Sequence, residues 1–73
     1  MGRTVAVSLD GSLIVVGSKA GTVTLFDQNL KFLRKIKLSR EEISDIKFSP
    51  DKKFIGVGSH DNAIYMLRVS DFK

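Results

Sequence analysis

The chain has 73 residues, no cysteine, one histidine (His60) and a formal charge of +4. A unit this short buries only about 60% of its unfolded surface; disulfides are excluded as staples, and a structural zinc site is disfavoured. No apolar run approaches the roughly 18 residues of a membrane helix and no leader pattern opens the chain, so a cytoplasmic, reducing setting is the expectation.

Met1 and Gly2 stand ahead of the patterned sequence. Val5 and Val7 alternate with small or polar residues, which predicts a strand over 4–7. Leu9-Asp10-Gly11-Ser12 is a turn. Leu13 to Val16 is unbroken and β-rich, so a strand over 13–17 should be covered on both faces. A turn at Ser18-Lys19-Ala20-Gly21 leads to a strand over 22–27. Gln28-Asn29-Leu30 then leads to a fourth strand over 31–38. Simple alternation there puts Phe32, Ile36 and Leu38 on one face with Arg34, and Lys31, Lys35 and Lys37 on the other with Leu33. Ser39 followed by Glu42 fits a helix capping box, which leaves room for one helical turn over 40–44 before a strand resumes over 45–48. Turns at Pro50-Asp51-Lys52-Lys53 and Ser59-His60-Asp61-Asn62 separate the last strands, over 54–58 and 63–69.

These elements repeat. Ser8, Asp10, Ile14, Val16, Gly17 and Ser18 recur as Ser49, Asp51, Ile55, Val57, Gly58 and Ser59, all at an offset of 41 residues. Val5/Ile46, Val7/Phe48, Leu13/Phe54, Val23/Ile64 and Leu25/Met66 exchange one apolar residue for another in the same register. A period of about 40–45 residues is that of a four-stranded propeller blade. The fold class expected is all-β: seven antiparallel strands forming about 1.75 blades. Residues 3–42 make a first blade and 43–73 a second that lacks its outer strand. Since rings close with about four to eight blades, further blades or other copies of the chain are needed to cover it.

Phe48-Ser49-Pro50-Asp51 and the run from Gly58 to Met66 resemble the inner half of a WD40 repeat. The run from Gly17 to Asp27 does too, with Phe26-Asp27 in the place of the Trp-Asp dipeptide. Arg3-Thr4-Val5, the run from Ile46 to Asp51 and Val57-Gly58-Ser59 together resemble the echinoderm microtubule-associated protein-like family, in its C-terminal propeller region. Departures from the repeat pattern fall on its hydrogen-bonded network. Asp61 matches the turn aspartate, but Ala20 replaces it in the first repeat. Ser39 stands near the usual histidine, Arg68 replaces the dipeptide's aspartate, and neither Phe26 nor Leu67 offers an indole N–H. Such blades depend the more on apolar packing.

No enzymatic constellation is present in the sequence. His60 lies in a tight turn, adjacent Glu41 and Glu42 point apart rather than forming a carboxylate pair, and the glycines lack phosphate-loop spacing. No cofactor or metal is expected. Ser8, Ser18, Ser49 and Ser59 occupy equivalent places and should bond at strand ends. Binding other proteins is the function expected. The resemblance implies docking on the face of the loops, here Lys19, Ala20, Ser39, Arg40, Glu41, Glu42, His60 and Asn62, with Asp61 holding its own turn. It also implies tubulin or microtubules as partner and a cytoskeletal location.

Five of the twelve basic residues, Lys31, Arg34, Lys35, Lys37 and Arg40, fall in one stretch without an acid. They form either a cation patch for nucleic acid or acidic membrane or a charged outer strand that resists edge pairing. With Phe32 the main aromatic nearby for base stacking, nucleic acid and membrane are the less favoured partners. A third alternative is a propeller fragment with no separate function.

Overall fold

The computed structural model describes residues 4–72. Seven strands follow one another: β1 (Thr4–Val7), β2 (Leu13–Gly17), β3 (Thr22–Asp27), β4 (Phe32–Lys37), β5 (Ile43–Phe48), β6 (Phe54–Ser59) and β7 (Ile64–Arg68). They form two up-and-down antiparallel sheets, β1-β2-β3-β4 and β5-β6-β7, as the repeat implies. Met1, Gly2, Arg3 and Lys73 lie outside the described residues.

Register decides which face each side chain takes, because paired residues share a face. Val15 pairs with Leu25 and Gly17 with Val23, so these project to one side of the first sheet. Ile46 pairs with Val57, and Ile55 with both Phe48 and Leu67, on one side of the second. The two sides meet in a core of Val15, Val23, Leu25, Ile43, Ile46, Ile55, Val57, Leu67 and Phe72. Hydrophobic burial of this kind stabilises by about 25 cal/mol per Å² of apolar area. Among the described residues only one face of each sheet is covered: Ile14 and Val16, on the first sheet's other face, are half-buried rather than enclosed.

Three local expectations are corrected. The capping-box turn over 40–44 does not form; β5 begins at Ile43. Ser39 directs its hydroxyl to Glu41 and Ser59 rather than to a helix terminus, and a bulge between Ile43 and Asp45 gives the segment β pairing with β6. Without that bulge Ile43 and Asp45 would share a face; with it Ile43 turns inward and is 1% exposed. A second bulge breaks the alternation of β4. Phe32 pairs with Phe26 and Arg34 with Leu25, so Phe32 joins Lys35 and Lys37 on the outer face while Arg34 stays with Ile36. There the Phe32 ring meets Phe26 edge-on, centroids 6.5 Å apart. The last strand is shorter than the sequence implies, ending at Arg68. The chain then folds back so that Phe72 caps the core, its N–H bonded to the Arg68 carbonyl at 2.6 Å.

Gly17 makes the joint between sheets close. A Cβ there would lie 2.5 Å from Ile43 Cγ2 and 2.9 Å from Ile46 Cδ1. No side chain fits without moving one of these isoleucines.

Candidate docking face and the seam between the sheets

Antiparallel up-and-down order brings the turns at 18–21, the connection at 38–42 and the turn at 59–63 to the same end of the sheets. Hydrogen bonds tie them together. The Ile43 N–H donates to the Ser18 carbonyl at 3.1 Å and the His60 N–H to the Glu42 carbonyl at 3.0 Å. The Ser39 and Ser59 hydroxyls meet at 2.9 Å, and both residues are buried. Ser39 Oγ also accepts the Glu41 N–H at 2.8 Å and lies 3.0 Å from its carbonyl. A single arrangement satisfies every group: Ser59 donates to Ser39, which donates to the Glu41 carbonyl. Gly21, at φ +86°, completes the joint; a Cβ there would run into the Ser39 carbonyl.

The two hairpin turns at this end are built differently. In the first, Ser18 Oγ accepts the Ala20 and Thr22 N–H groups, both at 3.2 Å. In the second, Asp61 takes part: it accepts the Ala63 N–H at 2.9 Å and the Tyr65 hydroxyl at 2.8 Å. Those two bonds, the Ala63 amide foremost, hold the Asp61 carboxyl below the ordinary carboxylate range. The bond to Asp61 in turn pushes the Tyr65 hydroxyl up. Asn62 takes the left-handed position, φ 67°.

Of the residues expected on this face, Lys19, Arg40, Glu41, His60 and Asn62 are exposed and Glu42 is half-buried. Glu42 and His60 come together, Oε1 to Nδ1 at 3.7 Å. Ser39 is interior and ties the loops rather than presenting itself. The His60–Glu42 pair is partly exposed, with side-chain accessibilities of 56% and 26%. Among the described residues no three of His, Cys, Asp and Glu gather as metal ligands would.

The basic residues of β4 divide. Lys35 and Lys37 pair with Thr24 and Thr22 on the outer face, while Arg34 is on the face that carries Leu25. Their charges therefore do not converge on one surface.

At the opposite end lies a cluster that reading the sequence missed. Asp10 Oδ1 accepts from Ser8 Oγ (2.9 Å), Ser12 N (3.0 Å) and Ser12 Oγ (2.8 Å). Lys52 Nζ reaches Asp10 Oδ2 at 2.6 Å and Ser12 Oγ at 3.1 Å. Lys52, foremost among these, drives the Asp10 carboxyl far below its usual range. Lys52 stands at φ 64°, where the first repeat has Gly11 at φ 77°. The signal was present: a lysine replaces a turn glycine one repeat after the aspartate that it meets. Asp51 repeats the local part of the arrangement, bonded to Ser49 Oγ and the Lys53 N–H, and its carboxyl is lowered chiefly by Ser49. As expected for the equivalent serines, Ser8 and Ser49 also accept the N–H groups of Leu13 and Phe54 at the starts of β2 and β6.

The chain is similar to known proteins in sequence and in fold. Over 62 residues the chain is 40% identical to echinoderm microtubule-associated protein-like 1 of Homo sapiens, covering 84% of this chain and 8% of that protein. Echinoderm microtubule-associated protein-like 2 of Rattus norvegicus is 37% identical over 68 residues, 92% of this chain and 10% of the relative. The chain thus spans a tenth or less of the length of these relatives. Its fold superposes on the crystal structure of the RRP9 WD40 repeats with a TM-score of 0.88, at 20% identity, over 94% of this chain and 21% of that one. The profile of the WD domain, G-beta repeat family matches residues 3–27 and 30–66. With two blade-like sheets stacked face to face and a family match over most of its length, the chain belongs to the WD40 repeat family.

Proposed function

We propose that residues 3–42 and 43–73 are two consecutive blades of a non-catalytic protein-docking scaffold, and that the partner reads Lys19, Arg40, Glu41, Glu42, His60 and Asn62. The observation that carries this reading is the hydrogen-bonded joining of three loops at one end of the sheets, centred on Ser39 and Ser59. It holds exposed polar side chains on a preorganised backbone, which lowers the ordering cost of binding. The relatives are microtubule-associated by name, so tubulin is the partner to test first, with a cytoplasmic or cytoskeletal location. The rival reading, a cation patch on β4, is weakened by the division of Arg34 from Lys35 and Lys37 between two faces.

The test is cosedimentation with microtubules, using a propeller that contains these blades. Replacing Arg40, Glu41, His60 and Asn62 by alanine leaves the formal charge unchanged and should weaken binding by about tenfold or more, roughly 1.4 kcal/mol. Reversing Arg34, Lys35 and Lys37 to glutamate should have the smaller effect. If the reversal alone abolishes binding, and wild-type binding falls steeply with salt, the cation patch is the site.

A further inference from the structure

The outermost strand of the first sheet is β4, and among the described residues no strand pairs with its far edge. That edge belongs to the repeat itself, because a blade is complete with four strands. It lies in mid-chain, and the chain runs on from it into the second sheet. The Leu38 N–H donates to the Gly21 carbonyl at 2.9 Å, continuing the register of the Thr22–Lys37 pair. Backbone groups point alternately to the two sides of a strand. Arg34 and Ile36 therefore direct theirs to β3, while Lys35 and Lys37 direct their N–H and C=O groups outward. Such an edge is a template for one more strand.

The charges on this edge say which strand it suits. Arg34, Lys35 and Lys37 are exposed, and no acid lies between Lys31 and Arg40. Arg34 is on one face of the sheet, and Lys35 and Lys37 are on the other. That division spoils a single surface for a polyanion, but it fits an added strand, whose own side chains alternate between the two faces. Acidic residues on both sides of that strand would each meet a cation, and opposite charges across strands stabilise pairing. A second copy of β4 would set cation against cation, which opposes pairing. At the start of the strand the bulge interrupts the regular ladder. There Phe32 (55% exposed) and Leu33 (41%) offer apolar contact in place of backbone bonds.

We propose that the outer edge of β4 receives an extended acidic segment of a partner protein, which adds to the first sheet as a further strand. Its backbone bonds to Lys35 and Lys37, its carboxylates meet cations on both faces, and an apolar residue rests on Phe32 and Leu33. The site is separate from the loop face and does not depend on it.

The test uses a propeller that contains these blades and a short fluorescent peptide of glutamates with a leucine at each end, read by anisotropy at physiological salt. The wild type should bind this peptide. N-methylation of the peptide's backbone amides keeps every charge and should weaken binding by about tenfold or more. Lys35→Glu with Lys37→Glu should abolish binding, and Arg34→Gln alone should weaken it. Circular dichroism checks folding, and Lys35→Gln with Lys37→Gln replaces a reversal that loses its β spectrum. No binding of the plain peptide overturns the proposal. Equal binding of the methylated peptide overturns it too, since charge alone would then suffice. So does loss from the lysine variants with none from Arg34→Gln, which would mean a one-sided cation patch. A single-stranded oligonucleotide of the same charge should bind more weakly; tighter binding would make the occupant nucleic acid and overturn the proposal. A cross-link between the Lys37 side chains of two copies, formed without peptide, would place a second copy on the edge and overturn it as well.

Discussion

Lys52 Nζ holds the Asp10 carboxylate at 2.6 Å across the seam between the two sheets, 42 positions away in the chain. The pair is partly exposed, with side-chain accessibilities of 37% and 52%, so salt should weaken it. The Asp10 carboxyl is depressed first by Lys52 and then by Ser12 and Ser8. A carboxyl whose folded pKa lies below its unfolded value contributes stability above the unfolded pKa, about 4 for aspartate, and loses it as pH falls. Asp51 and Asp61 are depressed too and act in the same direction. The thermal midpoint should therefore drop as pH is lowered from about 5 toward 2, and Lys52→Met should make that drop shallower. Melting curves across this range check it; an unchanged slope in the variant would remove Lys52 from the account.

Gly17 and Gly58 are equivalent in the repeat but should differ in tolerance. Gly17→Ala places a methyl 2.5 Å from Ile43 Cγ2 and should cost about 1–3 kcal/mol, as overpacking does. Gly58→Ala meets nothing nearer than 3.5 Å and should fold as well as the wild type. Denaturant titration of both variants separates them, and equal destabilisation would contradict the packing described.

The Ser39–Ser59 bond is buried and joins two loops 20 residues apart. Ser39→Ala removes the acceptor of the Glu41 N–H and the partner of Ser59, at a cost of about 1 kcal/mol or somewhat more. Ser59→Ala should cost a similar amount. Because they share one bond, the double variant should lose less than the two singles summed, which a double-mutant cycle measures.

Strand positions were legible because alternation and the repeat point the same way: Val5 and Val7 against Ile46 and Phe48, Leu13 against Phe54. What alternation cannot show is a bulge. The extra residue at Leu33 moved Phe32 to the other face, and the one at Ser44 carried Ile43 into the core. Both follow from pairing with a neighbouring strand, which local sequence does not encode. The capping-box signal at Ser39 and Glu42 was overridden in the same way, since β pairing with β6 and the bond to Ser59 outweigh one marginal helical turn. Around the candidate docking face, the loops themselves were legible from turn residues, whereas the interior position of Ser39 was not. Lys52 was read as an ordinary turn residue because its partner lies one whole repeat away.

The two sheets resemble the covers of a book. Their covalent link, residues 38–42, lies at one end of the seam and forms the spine, reinforced by Ser39, Ser59 and the Ile43-to-Ser18 bond. Lys52 and Asp10 form a clasp at the other end. Under mechanical load the covers should part from the clasp first, where the partly exposed Lys52 ammonium holds them through Asp10 and Ser12, and pivot about the spine. The loops at the spine would then keep their arrangement through the early stages of opening.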